Sequence, residues 1–254
     1  MRAGPFICLS AFLWASCSVK EARQDCPCRL EVDLTAFGEV TRQVSLDLDG
    51  KALERSLLGP DSLLVRTRVA ASDFLDIRVW SGVSRMEARG SLLQVKEGND
   101  GDSLFLFCSR LPGRRESALV KAVPHKQFAT VVLQVLPEDL PAGVRFTVRG
   151  QYGSFDLDGG QPVAAPLVIP LPEGKAESAF RLPRQEAAGV LVLEEDDGKG
   201  NLRSYPLGEW ILAAGYDWNA PDLDDILVAV DFVMNSFQVQ VSPWIPGEKM
   251  EHLL

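Results

Sequence analysis

Alternation of apolar and polar residues is the strongest constraint on this chain. Leu30-Glu31-Val32-Asp33-Leu34 places apolar side chains on one side of an extended strand and carboxylates on the other. Val44–Asp49 repeats the pattern and stops at Gly50. Leu63–Val69 and Leu75–Trp80 follow, the second closed by Ser81-Gly82. Ser103–Cys108 is largely apolar, as suits a strand at the centre of a sandwich, and the polar stretch Lys96–Gly101 before it predicts a turn. A seam is expected at Leu111-Pro112-Gly113-Arg114-Arg115. Beyond it come Ala118–Val123, Ala129–Leu136, Val144–Arg149, Pro166–Leu171, Gly189–Leu193, Ile226–Val233 and Phe237–Val241, with prolines between them as at β-edges and loops. Helical spacing is confined to Leu207–Ala214, barely two turns. The pattern predicts an all-β chain of two tandem β-sandwiches, an N-terminal one over 29–112 and a C-terminal one over 113–254.

The N-terminus reads as an address. Arg2 supplies the positive charge, and Pro5–Leu9 with Ala11–Trp14 forms a short apolar run. That run is about ten residues, against ~20 for a bilayer span. Leu13-Trp14-Ala15-Ser16-Cys17 looks like a bacterial lipobox, which predicts a signal peptide over 1–16 and a diacylglycerol thioether on Cys17. More than one acyl chain gives a stable anchor, each buried methylene contributing ~0.8 kcal/mol. Residues 17–28 then form a polar tether. An ordinary signal peptide cleaved after Ala15 or Ser16 is the plainer alternative.

Five cysteines occur. With Cys8 lost in the leader and Cys17 lipidated, Cys26, Cys28 and Cys108 remain, an odd number that permits at most one internal disulfide. A bridge across Pro27 would be strained. A tie from Cys26 or Cys28 to Cys108 suits an oxidising periplasm, and a buried free thiol at Cys108 is the other arrangement. Three thiols without a convincing fourth ligand do not make a zinc site.

Composition excludes more than it identifies. A net charge of −9 speaks against a nucleic-acid partner, which needs a basic face. With two histidines, His125 and His252, multi-histidine metal sites are improbable. No nucleophile motif frames His125, and no phosphate-cradling glycine loop occurs, so no catalytic residue, cofactor or metal is expected. Glu194-Glu195-Asp196-Asp197-Gly198-Lys199-Gly200 lacks the alternating ligands of a calcium loop and reads as a solvated hairpin. Asp47–Gly50 and Asp156–Gly160 read as strand ends entering turns. Asp222, Asp224 and Asp225 after Pro221 could be imagined as a glycosidase pair, but turn and capping roles are far commoner at such spacing. Gly215-Tyr216-Asp217-Trp218-Asn219 could offer aromatics to a sugar, with a structural corner as the favoured reading.

Several segments, taken in order, resemble the FimB-type fimbrial anchor subunits, lipoproteins of type V pili. They are Cys17-Ser18-Val19-Lys20-Glu21 running to Asp25-Cys26-Pro27-Cys28-Arg29-Leu30, then His125-Lys126-Gln127-Phe128-Ala129, then Leu182-Pro183-Arg184-Gln185. Pro206-Leu207-Gly208-Glu209-Trp210-Ile211, Gly215–Asn219, Asp222-Leu223-Asp224-Asp225-Ile226 and Trp244 complete the set. The resemblance implies two transthyretin-like sandwiches and a lipid on Cys17. It also implies cell-surface exposure on the outer membrane, with Lys20-Glu21 as the export signal, and a role in holding a fimbrium and limiting its growth. Its implied partners are the membrane, through acylated Cys17, and a fimbrial shaft subunit, by strand exchange. The donated segment would be Phe237–Val241, with Phe237, Val239 and Val241 as alternate side chains, or the tail to Leu254. A surface lipoprotein or tip adhesin that binds a glycan or host protein is the alternative.

Overall fold

The computed structural model describes residues 26–82, 84–136, 140–234 and 236–246. The leader, Cys17 and the tail to Leu254 lie outside the described residues. Strands dominate, as the alternation predicts, and they build two hydrophobic cores.

The first core is enclosed by two sheets. β1 (Cys28–Asp33) lies between β4 (Leu64–Val69), antiparallel to it, and β9 (Ser117–Lys121), parallel to it. The facing sheet has the order β10-β8-β5-β2-β3, with β2 (Gln43–Leu48), β3 (Lys51–Ser56), β5 (Phe74–Ser81), β8 (Phe105–Pro112) and β10 (His125–Lys126). Leu30, Val32, Leu46, Ile77 and Val79 meet between them at 0–1% exposure, each burial worth roughly 1.5–3 kcal/mol. After β1, Asp33 accepts the Thr35 N–H at 2.9 Å, and the chain enters the short helix α1 (Thr35–Val40), which sinks Phe37 into this core.

The second half repeats that plan. β11 (Phe128–Leu136) lies between β16 (Glu177–Pro183), antiparallel, and β19 (Asp225–Asp231), parallel. The facing sheet, ordered β15-β12-β17-β18, comprises β12 (Arg145–Gly150), β15 (Leu167–Pro170), β17 (Leu191–Asp196) and β18 (Leu202–Tyr205). Matched by chain order, β4-β1-β9 corresponds to β16-β11-β19, and β3-β2-β5-β8 to β15-β12-β17-β18. Two features distinguish the second half. Helix α2 (Leu207–Ala213) packs Trp210 and Ile211 inward, and β20 (Ser236–Ser242) is added outside β19.

The halves are fused more deeply than the expected seam suggests. β6 (Met86–Arg89) and β7 (Leu92–Val95) form a hairpin that pairs with β13 (Ser154–Asp156), itself paired with β14 (Gln161–Val163). Met86, Leu93 and Val95 thereby belong to the second core although they precede the seam. Conversely, β9 follows the expected boundary at Pro112 yet completes the first sheet on β1. Ser103–Cys108 is apolar because it serves both sides: Phe105 joins the first core, Leu104 and Leu106 the second.

Gly82, which ends β5, has φ +76°, and a Cβ there would lie 1.9 Å from the Ser103 carbonyl oxygen. Gly82→Ala should therefore lower stability in urea unfolding by well over the ~1 kcal/mol typical of a left-handed position alone. Gly90, at φ +65° with nothing within 4 Å, is the control and should lose only that smaller amount on conversion to Ala.

Candidate functional site: a buried polar junction between the halves

The chain passes from one half to the other within a single residue. β10 pairs with β8 in the first half, Gln127 donates its N–H to the Leu104 carbonyl at 2.9 Å, and β11 begins at Phe128. At this crossing Lys126 is 1% exposed. Its Nζ donates to Asp225 Oδ1 at 2.6 Å and to the Leu223 carbonyl at 3.0 Å. It also sits 4.9 Å from the ring centre of Phe128 and 5.8 Å from that of Trp244. Asp225 Oδ1 accepts the Thr130 N–H at 2.7 Å as well. A buried ammonium is tolerable only with such partners. Burial pulls the Lys126 pKa below the usual lysine range, and the Asp225 carboxylate opposes that shift.

Arg184, 8% exposed, forms the second hub. Its Nε donates to Gln127 Oε1 at 2.8 Å, its Nη2 to the Ala220 and Pro221 carbonyls at 2.8 and 3.2 Å, and its Nη1 to the Trp218 carbonyl. Carbonyl dipoles thus satisfy a charge that burial shifts toward lower pKa. Lys126 holds the linker to the 222–225 loop, and Arg184 holds it to the 218–221 loop.

The acidic cluster after Pro221 is consumed by this junction. Asp222 accepts the Lys126 N–H at 2.8 Å and approaches His125 Nδ1 at 3.3 Å. Asp224 accepts the Trp244 N–H at 3.0 Å, and its carbonyl accepts the Tyr216 hydroxyl at 2.9 Å. Tyr216 and Trp218 are 5% and 3% exposed and pack edge-on at 4.6 Å, so they form a corner rather than a sugar platform. Four segments that carry the family resemblance, 125–129, 182–185, 215–219 and 222–226, therefore converge with Trp244 on one site.

The other acidic runs serve turns. Asp196 and Asp197 accept the N–H groups of Gly198, Lys199 and Asn201 in the β17–β18 hairpin, while Glu194 pairs with Arg149. Asp156 accepts from Asp158 and Gly159, and Asp47 from Gly50. Among the described residues no group of three or more His, Cys, Asp or Glu is placed to hold a metal ion, and no helix is long and apolar enough to cross a membrane.

Cys26, Cys28 and Cys108 are free thiols here. Cys28 lies in the first core, and Cys26 is exposed. Cys108 is at the surface rather than in a core, but its Sγ donates to the Leu157 carbonyl across the junction at 3.2 Å. Beside it Arg78 links Asp47 of the first half, at 3.3 Å, to Asp158 of the second, at 2.6 Å. Phe237, Val239 and Val241 lie on β20, the rim of its sheet. Phe237 stacks on Trp210 at 4.4 Å and is 46% exposed, while both valines pack against the second core.

Family models and curated proteins give no match to this chain. Solved structures do, and those sharing the fold include proteins described as fimbrial or adhesive. The fimbrial anchor protein Mfa2 from Porphyromonas gingivalis matches with a TM-score of 0.61 at 13% identity, over 87% of this chain and 99% of that one. A candidate polysaccharide-binding protein (DUF1812) from Bacteroides thetaiotaomicron matches with a TM-score of 0.58 at 13% identity, over 88% and 99%. A candidate adhesin from Bacteroides ovatus gives 0.56 at 9% identity, over 86% and 93%. At these identities the likeness is one of fold.

Two outcomes follow from the junction. Lys126→Met strands the Asp225 carboxylate and should cost about 3–5 kcal/mol in urea unfolding, whereas Lys126→Met with Asp225→Asn, which keeps an acceptor for the Thr130 N–H, should recover much of that. Although the residue is exposed, its Sγ turns onto the Leu157 carbonyl, and desolvation there pushes the Cys108 thiol up to about 11. Its alkylation in the folded protein should accordingly reach half its limiting rate near that pH, and unfolding should return it to the ordinary thiol range, as mass spectrometry of iodoacetamide-treated protein would show.

Proposed function

We propose that this chain is a lipid-anchored minor fimbrial subunit, which holds a fimbrium at the outer membrane and ends its assembly. The observation that carries the reading is the place of the first strand of each half. β1 is hydrogen-bonded on both edges, to β4 and β9, and β11 likewise to β16 and β19. Polymers built by strand exchange need an acceptor groove left open by a missing strand. Head-to-tail contacts of that kind continue until one end is blocked. A subunit that keeps its own first strands offers no such groove and stops the series. The shared fold with a protein described as a fimbrial anchor supports the same reading.

In this reading the anchor is acyl chains on Cys17, exposed at the cell surface, and the partner is the last shaft subunit. The donated segment is β20, with Phe237, Val239 and Val241 as alternating side chains, or the tail beyond it. β20 suits the role because it is a rim strand outside the repeated plan and pairs on one side only among the described strands. The glycan-binding alternative loses its motivating residues, since Tyr216 and Trp218 are buried.

Two measurements test this. Mass spectrometry of the native protein should find diacylglycerol on Cys17, and Cys17→Ala should move the protein from the salt-washed membrane fraction to the soluble one. A variant that stays on the membrane through a wash at about 0.5 M NaCl would overturn the anchor. Deleting residues 247–254 spares Trp244 and the junction. Shaft capture should be lost if the tail is the donor, and retained capture would leave the role to β20.

A further inference from the structure

The outward face of the β4-β1-β9 sheet runs against the charge of the whole molecule. The chain carries −9, yet this face presents Arg29, Arg66, Arg68 and Lys121 against only Glu31 and Asp33. Glu31 is paired with Arg66 at 3.0 Å and Asp33 stands opposite Lys121, so the excess positive charge of the face falls on Arg29 and Arg68. Arg29 and Arg68 stand directly opposite each other across the antiparallel ladder. Like charges so placed cost stability unless an anion joins them. Beside them on the outer strand β9, Leu119, opposite Glu31, is 72% exposed. Arg29, Arg66, Arg68 and Leu119 line a shallow depression of about 750 Å³.

We propose that this face lies on the bilayer and binds the phosphate headgroups of anionic phospholipids. The inference rests on the reading that Cys17 carries the anchor. Cys17 is eleven residues before Cys28, so an extended chain limits the start of β1 to roughly 40 Å from the lipidated sulfur. Held that close, a cationic face meets headgroups at high effective concentration. Arginines on β4 and β1 with an exposed leucine beside them on β9 match an interface that is charged above and apolar below. A second effect is orientation: with this sheet down, the molecule has one preferred posture on the membrane instead of swinging on its tether.

The test uses the full chain carrying Cys17→Ala, so that no acyl group contributes. It is sedimented with vesicles of phosphatidylcholine alone or with about 30 mol% phosphatidylglycerol. Binding is expected only to the anionic vesicles and should vanish by about 0.5 M NaCl. Arg29→Gln and Arg68→Gln should each weaken it by about fivefold, without lowering thermal stability. No binding, equal binding to both vesicle types, or an unchanged affinity in the double variant would overturn the proposal. So would variants that keep vesicle binding and lose shaft capture, which would assign the face to a protein. Absence of lipid from native Cys17 would instead overturn the anchor and leave the vesicle result standing.

Discussion

The molecule depends on the buried ammonium of Lys126, at the point where its two halves exchange the chain. Lys126 follows directly on the last residue of the linker that faces solvent, and its ammonium reaches the loop that leads into β19. Because Asp225 also caps Thr130 at the start of β11, one carboxylate fixes the linker and both central strands of the second half. Replacing such a pair with hydrocarbon is often neutral or better for stability. Its value here is directional: hydrogen bonds of fixed geometry tie the linker to β11, β19 and the loop before β19, which apolar contacts would not do. Arg184 adds the same kind of restriction through the Trp218 and Ala220 carbonyls.

This fixation matters because the two halves would otherwise be near copies joined by one short linker. Domains so connected move relative to each other by default. Three devices remove that freedom: the polar junction, the shared sheet in which β7 pairs with β13, and the Arg78 bridge between Asp47 and Asp158. The β6–β7 hairpin is the most effective of them, since Leu93 and Val95 cannot leave the second core without exposing it.

Much of this was legible in the sequence. Strands with one wet face, such as β1, β5 and β12, announce themselves through alternation, and the burial patterns follow it. Strands that lack a face to bury do not. β3 is exposed at nearly every position, and only the Asp49-Gly50 pair, both at positive φ, marks the hairpin that makes it. β16 hides its inward row behind Ser178, and the three-residue β13 and β14 are too short to show a period. The junction was half visible. Its segments were distinctive as an ordered set, and the three aspartates read correctly as structural. Lys126 and Arg184 did not, because a charged residue is read as solvated unless its partners are known, and those partners lie some 35 to 100 residues away.

The parallel pairing of β1 with β9 has one more consequence. A protein held by its amino-terminal end receives any tension at Cys28, directed along β1. The hydrogen bonds to β4 and β9 lie across that direction, so a pull drags the strand lengthwise between its neighbours and strains every rung of both ladders at once. A strand peeled from a rim gives way one rung at a time. The first strand, hydrogen-bonded on both edges, is thus gripped in shear against a pull along its own axis.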